Sequence, residues 1–440
     1  MHGTLKLREV WRMRRVLCCF SLLAAILLAG CVSVFNKPVQ ELTFVSVSAG
    51  SDHTVAVDSD GNVWAWGKNY YGQLGDGTNI TKSVPVRVRI DADEEEYLSG
   101  ITNVAAGYNH TVALDRNGNV WAWGRNDHGQ LGDGAHGLEP DKSRAVRVKG
   151  PGGIELLSGI VAIAAGYEHS VALDGNGNVW TWGNNSWGQL GDNTDIRKNT
   201  PVQVLSSDGK GTLSGIIGIT AGGAHTIALD VGGNVWAWGS NFLGQLGIGT
   251  FGPDDLEITP VKVKGLSGEG YLSNIKVIIA GDAHSIALDN NGNVYAWGNN
   301  SYGQLGIGSD FNLRTPHRVK GIEGEGFLTE METIAAGGSH SLAADESGNV
   351  WAWGKCDNGQ LGAGHLGLIW KTTPVQTKGP DGEDYLTGIE AIDGGAYFSV
   401  ALDEHGEVWT WGSNSHGQLG DGTSGSENSK NTPVLVMFPN

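Results

Sequence analysis

Seven copies of Trp-x-Trp-Gly, one of them Tyr-x-Trp-Gly, end at Gly67, Gly124, Gly183, Gly239, Gly298, Gly354 and Gly412. Their mean spacing is about 57 residues. Gly-Gln-Leu-Gly follows each at a fixed distance, starting at Gly72, Gly129, Gly188, Gly244, Gly303, Gly359 and Gly417. Ahead lies Ala-Gly-x-x-His-Thr/Ser, as in Ala106-Gly107-Tyr108-Asn109-His110-Thr111. A period this regular means one supersecondary unit per repeat, each burying its apolar faces against its neighbours.

Each unit reads as four short strands, here Ile101–Ala105, Thr111–Leu114, Asn119–Trp123 and, from the next repeat, Pro201–Val204. Turn signals such as Asp115-Arg116-Asn117-Gly118 bracket them. In Val63-Trp64-Ala65-Trp66 the alternation is small against large, so both faces of that strand are expected to be buried. Four-stranded units with two buried faces, repeated seven times, predict an all-β, seven-bladed β-propeller. An open solenoid would need polar caps, and no terminal copy looks capped. Closure is expected through pairing of the N- and C-terminal strands, with Pro433–Val436 beside Val45–Val47 in one blade.

These motifs, with Leu-Asp-x-x-Gly-x-Val-Trp-x-Trp-Gly, resemble the repeat of the regulator of chromosome condensation (RCC1) family, across about residues 44–437. The resemblance implies a seven-bladed propeller engaged in protein recognition, but no single function. The namesake is a nuclear exchange factor for the GTPase Ran, a plant relative senses ultraviolet light, and secreted bacterial relatives inhibit β-lactamases. Guanine-nucleotide exchange by family analogy suits a nuclear protein, not a secreted acidic one. The plant photoreceptor carries tryptophan and arginine between the Gly and His of its repeat. Here those places hold Tyr108-Asn109, Tyr167-Glu168 and Gly223-Ala224.

The secretory reading comes from the N-terminus. Arg14-Arg15 precede an uncharged run from Val16 to Leu28, too short for a comfortable membrane span, and then Leu28-Ala29-Gly30-Cys31. That tetrapeptide resembles the lipobox of bacterial lipoproteins, which implies acylation of Cys31 and cleavage just before it. Met13 offers a more compact start for such a signal. The expected organisation is a lipoprotein signal peptide over 1–30, a lipidated N-terminus and short tether over 31–43, and the seven-repeat propeller over 44–440. The predicted location is the cell envelope, extracytoplasmic and lipid-anchored. Cys356 is then the sole remaining thiol, so no disulfide framework forms within the mature chain.

Residues 1–30 hold five basic side chains and one acidic one, leaving 24 basic against 46 acidic, net −22. Such a surface repels phosphate backbones, which argues against nucleic-acid partners.

Six histidines recur at one repeat position: His53, His110, His169, His225, His284 and His340, with Phe398 as the seventh. Equivalent positions in neighbouring blades stand about 10 Å apart, too far to share one zinc ion, so a structural hydrogen-bonding role is expected. Asp58-Ser59-Asp60-Gly61-Asn62 looks like a calcium loop but lacks the closing Glu, which favours turn chemistry. No nucleophile or phosphate-loop motif appears, and no catalytic residue, cofactor or metal is assigned.

What varies between repeats is more informative. Just before each Gly-Gln-Leu-Gly stands Tyr71, His128, Trp187, Leu243, Tyr302, Asn358 or His416, one per blade on one rim. With Trp370, which lies outside the repeat motif, Tyr71, His128, Trp187, Leu243, Tyr302 and His416 are the candidate partner-binding residues. Aromatic side chains on a rigid scaffold suit a protein interface. Acidic connections between repeats, including Asp93-Glu94-Glu95-Glu96, Glu269, Glu323–Glu325 and Asp381–Asp384, read as solvated tips. The expected function is a membrane-tethered, non-catalytic binding or scaffold module for a protein, or alternatively a glycan. The competing reading is an extracytoplasmic enzyme with its site at the mouth of the central channel.

Overall fold

The computed structural model of the chain describes residues 42–91, 96–137, 141–364 and 370–439. The segment expected to be a signal peptide, Cys31, the expected tether up to residue 41, acidic residues 93–95 and loop residues 365–369 lie outside these.

The described residues form seven antiparallel sheets of four strands, each sheet drawn from one repeat and ordered as in the chain. The first blade holds β1 (Phe44–Ala49), β2 (His53–Asp58), β3 (Val63–Gly67) and β4 (Lys82–Arg87). Strand β1 lines the centre and β4 the perimeter, and every later blade repeats the plan. Registers repeat too: His53 faces Gly67, Thr54 faces Trp66 and Ala56 faces Trp64.

The expected burial of both faces holds for β3, and β2 beside it is buried throughout as well. Seven core clusters fill the seven gaps between blades. In the first gap, Val63 and Ala65 of one blade meet Ile101, Val104 and Trp123 of the next. Large thus packs on small. Each second tryptophan also donates its indole N–H to the glutamine carbonyl of the preceding blade's Gly-Gln-Leu-Gly, as Trp123 does to Gln73 at 2.9 Å. The last glycine of that motif makes the approach possible. A Cβ on Gly75 would lie 2.8 Å from Val88 Cγ1 and 3.0 Å from the Trp123 ring, and its φ of +69° already disfavours any other residue.

The fourth strand differs from expectation. The segment expected at Pro201–Val204 begins earlier, as β12 (Lys198–Gln203), and its register shifts opposite β11 (Val179–Gly183). Pro201 sits in it without penalty, because an outer edge strand needs no amide donor on its free side.

Closure also departs from expectation. Val45–Val47 do not pair with Pro433–Val436: β1 pairs with β2, and β28 (Lys430–Leu435) pairs with β27 (Val408–Gly412). No strand is exchanged. The seventh gap is built like the other six, by faces. Trp66 donates to the Gln418 carbonyl at 2.9 Å, and the Phe44 amide donates to Gly406 at 2.9 Å, as that of Ile101 does to Gly61 at 3.0 Å. Phe438 stacks on Phe44 with ring centroids 4.1 Å apart. Because each repeat supplies all four strands of its own blade, nothing is left over to exchange.

A candidate binding face and the central channel

The repeat sorts its loops onto two faces. Turns between first and second strands (Ala-Gly-x-x-His) and loops between third and fourth (Asn-x-x-Gly-Gln-Leu-Gly) open on one, the loop face. Second-to-third hairpins and the links between blades open on the other.

On the loop face each Asn and Gln of the repeat is a bracket. In blade one the Asn69 side-chain carbonyl accepts from the Leu74 amide (3.0 Å), and its amide group donates to Asp76 (3.1 Å). The Gln73 side-chain carbonyl accepts from the Tyr71 amide at 3.0 Å. Two buried amides therefore fix a loop whose tip, Tyr70-Tyr71, is free to vary.

The histidines stitch neighbouring blades beneath this face. His53 Nε2 lies 3.1 Å from Thr111 Oγ1, whose hydroxyl donates to the Gln73 carbonyl (3.3 Å), so the hydroxyl oxygen accepts from the imidazole. The remaining five pairs are His110–Ser170, His169–Thr226, His225–Ser285, His284–Ser341 and His340–Ser399, at 2.9 to 3.1 Å. The expected hydrogen-bonding role is thus seen directly. Burial lowers every pKa, to about 4 for His53, His169 and His284 and to about 3 for His110, His225 and His340. The glycine three residues earlier gives each ring its space: a Cβ on Gly50 would collide with His53. Phe398 fills the same cradle beside Gly395 and leaves the gap between blades seven and one without this bond.

Hairpin aspartates do turn chemistry, as expected. Asp58 accepts from the amides of Asp60 (3.1 Å) and Asn62 (2.9 Å) and from the Trp64 indole (2.9 Å).

The candidate residues all fall on the loop face, but in two situations. Trp187 (40% exposed) and Trp370 (38%) present their rings to solvent. Tyr71, His128, Leu243, Tyr302 and His416 are half-buried. Arg125 of the next blade lies over the Tyr71 ring at 5.2 Å, and His128 Nε2 lies 3.3 Å from Glu168 of the next blade. His416 meets Tyr70 edge-on at 5.8 Å. Tyr302 meets Trp370 edge-on at 5.9 Å, while Lys355 bridges the rings of Tyr302 (4.9 Å) and Tyr397 (5.0 Å). Sequence reasoning marked the Phe251–Asp255 loop as variable but missed the most exposed aromatics of this face, Tyr70 (58%) and Phe311 (75%), together with Phe242 and Tyr397. Comparing the residue two places before Gly-Gln-Leu-Gly would have found Tyr70 and Phe242. Phe251 and Phe311 lie in loops whose lengths differ between repeats, so no shared position marks them.

The opposite face carries fewer exposed aromatics among the described residues. Its exposed aromatics lie under basic side chains of their own blade, as with Arg318 and Phe327 (4.3 Å) or Lys378 and Tyr385 (4.3 Å).

A cavity of about 240 Å³ opens at the axis on the loop face, between the ends of the inner strands. Among the described residues no group of three or more metal-ligating side chains converges here or elsewhere.

The geometry defines a closed seven-bladed propeller with one aromatic, loop-bearing face. The chain belongs to the RCC1 repeat family: the RCC1-like domain matches residues 31–274, and the RCC1 repeat matches 291–344, 347–402 and 405–440. It is 35% identical over 332 residues to the ultraviolet-B receptor UVR8 of Arabidopsis thaliana, covering 73% of this chain and 67% of that one. It is 32% identical over 325 residues to the human E3 ubiquitin-protein ligase HERC2, covering 74% of this chain but only 6% of that protein. Among solved structures, human WBSCR16 superposes with a TM-score of 0.69 at 23% identity, covering 86% of this chain and 94% of that one. Prp20p of Saccharomyces cerevisiae, a structure described with its binding to Gsp1p and histones, superposes at 0.68 and 24% identity, covering 90% and 87%. At these identities the superpositions establish the fold alone.

Proposed function

We propose that this protein is a membrane-tethered, extracytoplasmic binding or scaffold module that docks a protein on its loop face and performs no catalysis itself. The observation that carries the reading is the contrast between faces. Trp187 and Phe311 are held out by loops pinned by the buried side chains of Asn185, Gln189 and Asn300, whereas the exposed aromatics of the other face lie under their own blade's cations. Rigid aromatic display suits an interface, because large rings bury much area while losing little conformational freedom. Prp20p, with its reported binding to Gsp1p and histones, provides a precedent for recognition by a propeller of this family. The surplus of acid on this chain argues against a nucleic-acid partner.

Cys31 is proposed as the lipid anchor, on the strength of Leu28-Ala29-Gly30-Cys31 behind a basic and apolar leader. Two acyl chains on one residue would suffice for stable anchoring. Cys31→Ala should abolish lipid mass and move the protein out of the membrane fraction; retention of both would overturn the anchor. For docking, the fragment from residue 32 onward, immobilised and exposed to lysate and wall material, should retain a specific protein that a Trp187→Ala/Phe311→Ala variant does not.

A further inference from the structure

At one repeat position, directly after the glycine of Ala-Gly-x-x-His, the seven blades carry Ser51, Tyr108, Tyr167, Gly223, Asp282, Gly338 and Ala396. All seven line the axial cavity. Packing here requires nothing large, since two blades manage with glycine. Yet Tyr167 crosses the mouth above Gly223, where an added Cβ would lie 3.4 Å from its ring, and its hydroxyl comes close enough to Asp282 for each to shift the other's pKa. Asp282 in turn leans over Gly338, whose added Cβ would meet Oδ2 at 2.8 Å. The Tyr108 ring lies against Tyr167, tilted by 57° with centroids 4.5 Å apart. Blades two to five therefore cover their half of the mouth. Blades six, seven and one present only the small residues Gly338, Ala396 and Ser51 and form the more open side.

Beneath the opening lies a second carboxylate. Asp393 accepts from Ser48 Oγ (3.1 Å) and the Ala49 amide (2.9 Å) across the gap between blades seven and one, and from the Gly394 amide (2.8 Å). These bonds occupy most of its lone pairs. Asp282 has Tyr167 as its neighbouring donor, and a carboxylate offers about four acceptor sites. Among the described residues the cavity wall includes no Lys, Arg or His. Two negative charges in a narrow, protein-walled opening focus a field that attracts a cation. Burial raises the pKa of each to about 6, as expected for carboxylates short of countercharge. A volume of about 240 Å³ is below the range usual for drug-sized ligands and suits a single side chain or a small amine.

We infer that the channel mouth is a binding site for one alkylammonium or guanidinium group, held by the Asp282 carboxylate and flanked by the rings of Tyr167 and Tyr108. The source is either a free amine or a lysine or arginine side chain on a docked protein. The site shares the loop face with the proposed interface but does not depend on it. Loss of protein docking in rim variants would leave amine binding intact.

The test is calorimetric titration of the chain with n-butylammonium, agmatine, a blocked tripeptide with a central arginine, and uncharged n-butanol. The cations should bind with Kd on the order of 1 mM, while n-butanol should not bind. Asp282→Asn should weaken the cations at least tenfold without changing the melting temperature. Ala396→Lys, which supplies an ammonium from the open side, should abolish their binding and serves as the second variant if Asp282→Asn folds poorly. Tighter binding of the tripeptide than of agmatine assigns the site to a protein side chain; the reverse assigns it to a free amine. Equal binding of n-butanol, no binding of any cation, or unchanged affinity in both variants would overturn the inference.

Discussion

Among single residues, the recurring histidine shows how one side chain both joins blades and sets a pH limit. A buried neutral imidazole donates from Nε2 and has no hydrogen-bond partner at Nδ1. Protonation would place a charge where burial penalises it. The folded pKa lies below the free value of 6.5, so the unfolded chain binds more protons between the two. The stability contributed is complete above about pH 6.5 and is lost as pH falls through about 4. Thermal melts from pH 7.5 to 4 should show this loss, and His169→Phe should make it shallower, since Phe398 shows that the cradle accepts a benzyl ring. An unchanged slope in that variant would remove histidine from the explanation. The second tryptophans belong to the same scale. Trp66→Ala removes a fully buried ring and the bond to Gln418, and should cost about 3–5 kcal/mol in denaturant unfolding. A loss below about 1 kcal/mol would contradict the packing account.

At the scale of the strand and blade, the ring is closed by a face. Deleting residues 432–440 strips most of β28 and Phe438 from the seventh blade, exposing both β27 and the Phe44 ring. The truncated protein should unfold in one transition at a markedly lower temperature, since each blade rests on two neighbours. Melting at the parent temperature would refute this. The two-sided burial of the third strand was legible in the sequence because small-large alternation occurs only where both faces are buried. The mode of closure was not, since strand exchange and face packing bury the same residues at the ends of the chain. What decides between them is register, namely that Lys82–Arg87 already completes the first blade. The fourth strand was misplaced by three residues because its bulge and its proline disguise the alternation.

For the whole molecule, the question is which face does the binding. The rim was legible as a set of variable positions ahead of a constant motif. Its division into exposed rings and blade-bridging ones was not, because that depends on what the next blade places opposite: Arg125 opposite Tyr71, Glu168 opposite His128. The channel mouth was hidden for a related reason. Tyr167 and Asp282 stand 115 positions apart and meet only across the axis. The central claim is that the loop face is the interface. It is tested most directly by titrating the captured partner against folded single variants of both faces, with melting followed in parallel. Trp187→Ala and Phe311→Ala should each weaken binding at least about thirtyfold, about 2 kcal/mol, with melting unchanged. Val231→Ala and Ile154→Ala, 78% and 89% exposed on the opposite face, should bind as the parent does. Parent-like affinity in both loop-face variants, or a loss confined to Val231 and Ile154, would contradict the account.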